Sequence, residues 1–470
     1  MAKISLAALA AALTLLLQAG PAAAFSTQNV TITSADGTPI AATLFLPAAP
    51  APTGGRAAVV FMHGLGGDRA GMEAIARSMG LVGEQYAVLT VDARGHGASG
   101  GLIGIDGPKE IADVKAVFSW LAARPDVADA KIGAWGISLG GGAAWNSLVA
   151  GVPWGAVEVV ESWTNLQSAL VPQGLAKSGI IAGFLGGLRP ERVDPALFAI
   201  RDAAFSGNLA GVPAFAAARS SIQALKGNTT PVFMMQGRRD FAFGLDQALT
   251  AYRALAGPKR LWIGNLGHAP SSFPAVDSRE MLAEGRLWFD RHLRGAPVAL
   301  DDKRPVVVAA AGSARVERFA AVPRTIRIGE AFGGSRTITQ ASGWRRTSAS
   351  IKAPLEVFGA PTVRVDATAA AGWTRLVAVL SAMTPAGDEI VISAGGVPAQ
   401  PGRSTYAIAM IDQATFVPRG SRLTLTIGSS TLAQSPANLL YLDLPLAPGA
   451  RATVGAARLS LPVLALPVSQ

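Results

Sequence analysis

A chain of 470 residues exceeds what a single hydrophobic core usually fills, so two domains are expected. Half of the residues are apolar and 15% are charged, which excludes a disordered chain. The formal net charge of +10 is spread thinly with no Lys/Arg run or basic-aromatic stripe, so nucleic acid is not an expected partner. The absence of cysteine excludes disulfides, thiolate metal sites and cysteine nucleophiles.

Taken in chain order, Met1 to Ala24 carries one early charge at Lys3, an apolar stretch from Ile4 to Leu17, and small residues ending Ala22-Ala23-Ala24. That pattern is a secretory signal, too short for a membrane span, and predicts cleavage after Ala24 and a secreted or periplasmic protein with no stable membrane insertion. From Val30 to Leu46 alternating residues broken by Asp36-Gly37 predict a hairpin. Apolar runs then recur between helix-length segments: Ala57 to Met62, Tyr86 to Asp92, Lys131 to Ile137, Ala156 to Val160, Val232 to Gln236 and Arg260 to Ile263. Continuous apolar strands alternating with helices mean a parallel sheet covered on both faces.

The alternation lapses over about 163–228, where an Ala/Leu/Gly-rich stretch with helical spacing predicts a cap over the carboxyl ends of the strands. Beyond Gly295-Ala296-Pro297 the chain turns to short alternating runs rich in Val, Thr and Ile, such as Ser421 to Ile427, which predict a β-sandwich. The fold expected is therefore an α/β-hydrolase unit over 25–298 with a helical cap, followed by an all-β, jelly-roll-like sandwich over 299–470.

Gly136-Ile137-Ser138-Leu139-Gly140 follows an apolar strand and opens a helical run. A nucleophile elbow needs this context, since the serine sits on a tight strand-to-helix turn and the helix N-terminus favours developing negative charge. Gly97-Ala98-Ser99-Gly100-Gly101 matches the same pattern but lies in a glycine-rich loop, so Ser138 is the candidate nucleophile. That loop, from Asp92, is expected to be held by Asp92 and Arg94 through charge-assisted hydrogen bonds.

Of the four histidines, His268 stands in a loop after the last strand of the sheet, where the order Ser, acid, His puts the base. His63 and His96 lie in earlier loops and His292 on the terminal helix. Asp240 ends a strand that turns through Gly237, and a carboxylate there can fix the histidine tautomer. Asp246 and Glu161 are reserve acids. The oxyanion hole is expected to use the backbone N–H groups of Leu139 and Leu65, the latter in His63-Gly64-Leu65-Gly66-Gly67.

With these residues in hand, the chain resembles the X-prolyl dipeptidyl-peptidase and cocaine-esterase-like hydrolases. The likeness rests on Asp92 to Gly101, on Ala134 to Gly141, and on Leu355 to Leu380 with Val417 to Ser429, which look like that family's loop, elbow and carboxyl-terminal jelly roll. The family often supplies an oxyanion donor from a tyrosine after the third strand, and this chain has His-Gly-Leu-Gly-Gly there instead. A peptidase of that kind also needs carboxylates to hold a substrate ammonium. The cap offers Glu191, Asp194 and Asp202 against Lys177, Arg189, Arg192, Arg201, Arg219 and Lys226.

The expected function is hydrolysis of carboxylic esters, extending to amides, through an acyl-enzyme on Ser138 with no metal or organic cofactor. The partner is a small ester or peptide-like substrate. X-Pro dipeptidyl-peptidase activity is the alternative within this class. A binding protein dominated by its β-domain is the alternative outside it. Oligomeric state is not written in the sequence.

Overall fold

The computed structural model describes residues 25–83, 85–431 and 440–468. The proposed signal segment and its cleavage point at Ala24 lie outside them. Among the described residues no helix is long and apolar enough to cross a membrane.

The first body is built on β1 (Phe25–Thr33), β2 (Pro39–Pro47), β3 (Arg56–Met62), β4 (Ala87–Val91), β5 (Val127–Ile137), β6 (Ala156–Val160), β7 (Val232–Gly237), β8 (Lys259–Gly264), β9 (Val306–Ala309) and β10 (Val316–Phe319). They form one ten-stranded sheet in the order β1-β2-β4-β3-β5-β6-β7-β8-β9-β10, parallel from β4 through β9. The hairpin turns at Gly37, whose φ of 82° needs no Cβ.

Between the strands run α1 (Arg69–Ser78), α2 (Pro108–Ala122), α3 (Leu139–Val149), the cap helices α4 (Leu166–Leu170), α5 (Ser178–Gly186), α6 (Pro195–Phe205) and α7 (Val212–Ala217), then α8 (Leu245–Ala254) and α9 (Ser278–Arg294). Side chains of β3 split by parity. Ala58, Val60 and Met62 join the core under α2, α3 and α8, while Ala57, Val59 and Phe61 join the core under α1 and α9. That two-sided burial is why the strands read as continuous apolar runs.

The large sheet runs past residue 298. β9 pairs with β8 and β10 with β9, so the division expected at 298/299 falls before the sheet's last two strands rather than after them. A four-residue apolar strand carries no local mark of which sheet it will join.

The second body comprises β11 (Thr325–Phe332), β12 (Arg336–Thr339), β13 (Trp344–Ser350), β14 (Leu355–Gly359), β15 (Thr362–Ala369), β16 (Arg375–Met383), β17 (Glu389–Pro398), β18 (Gly402–Ala409), β19 (Gln413–Val417), β20 (Arg422–Gly428) and β21 (Arg451–Leu464). They form a seven-stranded and a four-stranded antiparallel sheet, packed face to face over a core that includes Trp344, Val365, Leu380, Ile427 and Leu461. The four-stranded sheet is buried on its other face too. Leu376, Ala378 and Leu380 of β16 point into the sandwich, while Val377 and Val379 pack with Trp163, Phe241 and Phe243 of the first body.

The two bodies are also tied by charge. Arg238, just after β7, pairs with Glu356 of β14, and both side chains are almost wholly buried. Removing one partner of a buried pair strands the other charge, which costs about 3–5 kcal/mol. Glu356→Ala is therefore expected to lower unfolding free energy by about that amount in urea denaturation; a loss below about 1 kcal/mol, the range of exposed pairs, would contradict the role given to this contact.

Candidate active site

Ser138 sits between the end of β5 and the start of α3 with φ 53° and ψ −113°, a left-handed backbone that a β-carbon disfavours. The turn is possible because its flanking glycines admit the chain. A Cβ at Gly136 would lie 2.1 Å from the Gly140 carbonyl oxygen, and one at Gly140 would lie 2.1 Å from that of Met62. The backbone is clamped by Ser138 N–H donating to Val160 O (2.9 Å) and by the Ser162 hydroxyl donating to Ser138 O (2.8 Å).

The structure brings Ser138, His268 and Asp240 together. The Ser138 hydroxyl lies 2.9 Å from His268 Nε2, and His268 Nδ1 lies 2.8 Å from Asp240 Oδ2. Asp240 is fully buried and its carboxylate is saturated: Oδ2 also accepts from His268 N–H (3.1 Å), and Oδ1 accepts from Ala242 and Phe243 N–H (both 2.9 Å). These bonds place the histidine with its proton on Nδ1 and a lone pair facing the serine. The rings of Phe243 and Phe184 meet the imidazole edge to face, at 5.0 and 5.6 Å.

Glu161 and Asp246, the reserve acids, part company. Glu161 follows β6 and is buried against the same pair; its carboxylate, that of Asp240 and a His268 ring nitrogen offer atoms all within 4.8 Å of one another. Such a cluster could in principle hold a metal ion, but both imidazole nitrogens are already engaged by Ser138 and Asp240, which is the arrangement of a proton relay. Asp246 lies on α8 and lines a separate polar cavity with Lys177 and Asp412.

Ser99 is buried in another role. Its hydroxyl donates to Asp92 O (2.7 Å) and accepts from Ala41 N–H (2.8 Å), so it fastens the loop to β2. Asp92 holds that loop through Ala98 N–H (2.9 Å) and pairs with Arg69, while Arg94 reaches Asp36 and Asp113. His63 donates from Nδ1 to Gly64 O (2.7 Å) and accepts Ala93 N–H on Nε2 (3.0 Å), a bracing role. His96 packs edge-on against it, and His292 lies tilted against Trp288 of α9.

The two oxyanion candidates border Ser138. Leu139 is the first residue of α3, where an amide has no partner within the helix. Leu65 lines the same chamber, in the loop that brings the Gly64 backbone against Ser138, where a Cβ would stand 3.3 Å from the serine Cβ.

Two residues whose supporting role the sequence reading did not assign stand beside the acid loop. Lys177, ahead of α5, is buried with its ammonium donating to Phe241 O (3.0 Å) and Ala242 O (2.9 Å), and burial pulls its pKa down to about 8. Gln413 of β19 donates to Asp240 O (2.8 Å). A lone lysine in an apolar stretch was a readable signal for the first. The second arises only from packing.

A chamber of about 120 Å³ opens on Ser138 beneath the cap, walled by side chains such as Leu65, Trp163, Leu170, Ile181, Phe184, Leu197, Val212 and Phe215. Among the described residues Arg201 is the one charged residue on its wall, and no acidic side chain lines it.

Fold and site together define a serine hydrolase: an α/β-hydrolase body with a cap, followed by an antiparallel sandwich. Residues 36–180 match the model of the X-Pro dipeptidyl-peptidase (S15) family. No curated protein matches the chain in sequence. Among solved structures, a CocE/NonD family hydrolase from Staphylococcus aureus is similar at a TM-score of 0.74, with 13% identity over 94% of each chain. An α-amino acid ester hydrolase gives 0.70 and 16% identity over 98% of this chain and all of the other (100%). An aminopeptidase from a marine sediment Thaumarchaeota archaeon gives 0.68 and 13% over 94% and 97%. At such identities the likeness is one of fold.

Burial works to lower the His268 pKa, but the Asp240 carboxylate, by charge and hydrogen bond, and then Glu161 carry it above its ordinary value. A base that must be neutral is then lost as pH falls through that raised value. The kcat/KM profile is expected to rise to a plateau with its midpoint above about 6.5, the unperturbed histidine value. A midpoint at or below that value would contradict the charge environment described.

Proposed function

We propose that the chain is an exported carboxylic ester hydrolase that acts on esters of uncharged, apolar acyl groups. Export is supported by the n-region, apolar stretch and small-residue end of Met1 to Ala24. The ester reading is carried by the chamber beside Ser138, which is apolar and, among the described residues, free of acidic side chains.

A free amino terminus taken out of water needs carboxylates around it, because an unpaired buried charge costs several kcal/mol. The acids of the cap face elsewhere. Glu191 is exposed beside Arg189, Asp194 caps α6 through Ala196 N–H, and Asp202 pairs with Arg201 on the outside. Glu158 is buried within β6, and Glu161 lies against the His268–Asp240 pair rather than on the chamber wall. The dipeptidyl-peptidase alternative draws on the family match over 36–180, yet the chamber lacks the clamp such a substrate requires. The sandwich packs directly on the loops of the site, which favours a supporting role over that of a free-standing binding module.

In this reading the Ser138 oxygen attacks the ester carbonyl while His268 Nε2 takes the hydroxyl proton. The N–H groups of Leu139 and Leu65 receive the oxyanion, and the imidazolium returns its proton to the departing alcohol. Water, deprotonated by the same histidine, then releases the acid.

Each methylene moved from water into an apolar wall is worth about 0.8 kcal/mol, or about fourfold in rate where the transition state feels it. Across p-nitrophenyl acetate, butyrate and hexanoate, kcat/KM is expected to rise by up to about fourfold per methylene, and Ser138→Ala to lower turnover by several orders of magnitude. X-Pro p-nitroanilides with a free amino group should be much poorer substrates. Faster cleavage of those anilides than of any ester would establish the peptidase instead.

A further inference from the structure

Glu161 stands in a position that the relay of Ser138, His268 and Asp240 does not by itself require. It is a non-glycine residue at φ 39°, in the left-handed region, on the turn where β6 ends. Strain of that kind persists only where surroundings impose it, and it concentrates at functional sites. Here the constraint is visible: Glu161 N–H donates to Met235 O of β7 (2.7 Å), and the next residue, Ser162, bonds the backbone of Ser138.

The side chain it delivers is buried, and Oε2 has no hydrogen-bond partner among the described residues. A buried carboxyl left so is costly unless it serves something nearby. The nearest ionisable groups are those of the relay, with Asp240 and His268 offering atoms within 4.8 Å. Burial raises the Glu161 pKa to about 8, with the His268 charge opposing the shift and the Asp240 charge adding to it.

We propose that Glu161 is a second acid of the relay, a positioning residue that acts on the reaction through His268. This rests on His268 being the base. Above its raised pKa of about 8 Glu161 is ionised, and with His268 neutral it and Asp240 then repel each other in a poorly solvated pocket. When the imidazole takes the Ser138 proton, the new cation lies between two carboxylates, and the repulsion becomes attraction. No further proton moves: the O–H bond of Ser138 breaks, the N–H bond at Nε2 forms, and both carboxylates stay as they were. Glu161 therefore strengthens the base, and it remains an acid beside the histidine if Asp240 is lost.

The other groups facing the imidazole are accounted for. Lys177, whose ammonium is held by Phe241 O and Ala242 O, opposes the effect by its charge. Ser138 occupies Nε2, and the rings of Phe184 and Phe243 carry no charge. None of them supplies a second anion.

The test is the pH dependence of kcat/KM on p-nitrophenyl butyrate for the full chain, with folding checked by thermal melting. Glu161→Gln is expected to move the acid limb down by about one unit, the scale of one charge a few ångströms away in a partly screened interior. Asp240→Asn should retain activity that Asp240→Asn/Glu161→Gln loses by about tenfold or more, a difference of about 1.4 kcal/mol. An unmoved limb in Glu161→Gln, or equal activity in the single and double Asp240 variants, overturns the proposal. If Glu161→Gln does not fold, the limb of Glu161→Asp, which draws the carboxylate back by one methylene, must move in the same direction, and an unmoved limb there overturns it equally. A wild-type enzyme with no acid limb, or an active Ser138→Ala, would instead refute the relay itself.

Discussion

The buried carboxylate of Asp240 sets the terms for everything around it. A full charge at zero exposure survives only if each lone pair has a donor, and here four N–H groups converge on it: the ring and backbone of His268 and the amides of Ala242 and Phe243. Those donors can meet only if the loop after β7 folds back on itself and the loop after β8 crosses it. The position of the histidine, and so its reach to Ser138, follows from satisfying that one charge.

The sandwich makes sense in the same terms. Its four-stranded sheet lays Val377, Val379 and Val391 against Phe241 and Phe243, Ile411 joins them from the link between β18 and β19, and Gln413 binds the carbonyl of Asp240. Ala414 N–H donates to Arg238 O (2.7 Å), and the Arg239 guanidinium donates to Val391 O (2.7 Å). The acid loop is thus held from below by the parallel sheet, from the cap by Lys177, and from the far side by the second body. Rigidity at the acid comes from three directions, while the chamber over Ser138 is left to the cap.

Much of this was legible in the sequence because it is written in local chemistry. The glycines around Ser138 mark a turn no other residue permits, and the apolar runs mark strands covered on two faces. The order of Ser138, Asp240 and His268 along the chain follows from that sheet. What was not legible depends on contacts between distant segments. Nothing near Val306 to Ala309 tells that this short run closes the large sheet rather than opening the sandwich. The Arg238–Glu356 pair joins residues far apart in sequence. A hint did exist in β16, since Leu376 to Ala382 is apolar at nearly every position and a sandwich strand with one wet face would alternate. Glu161 was recognisable as an acid after a strand, but its burial beside the histidine is a product of packing.

The most direct measurement of the central claim is covalent. A fluorophosphonate reacts with a serine only where a base and an oxyanion site activate it, so the full-length protein, labelled and then digested, reports its nucleophile by peptide mass. A single adduct on the peptide containing Ser138, absent in protein held well below the acid limb, is the predicted result. An adduct on Ser99 or on any other residue, or no adduct at a pH where esters are cleaved, would contradict it.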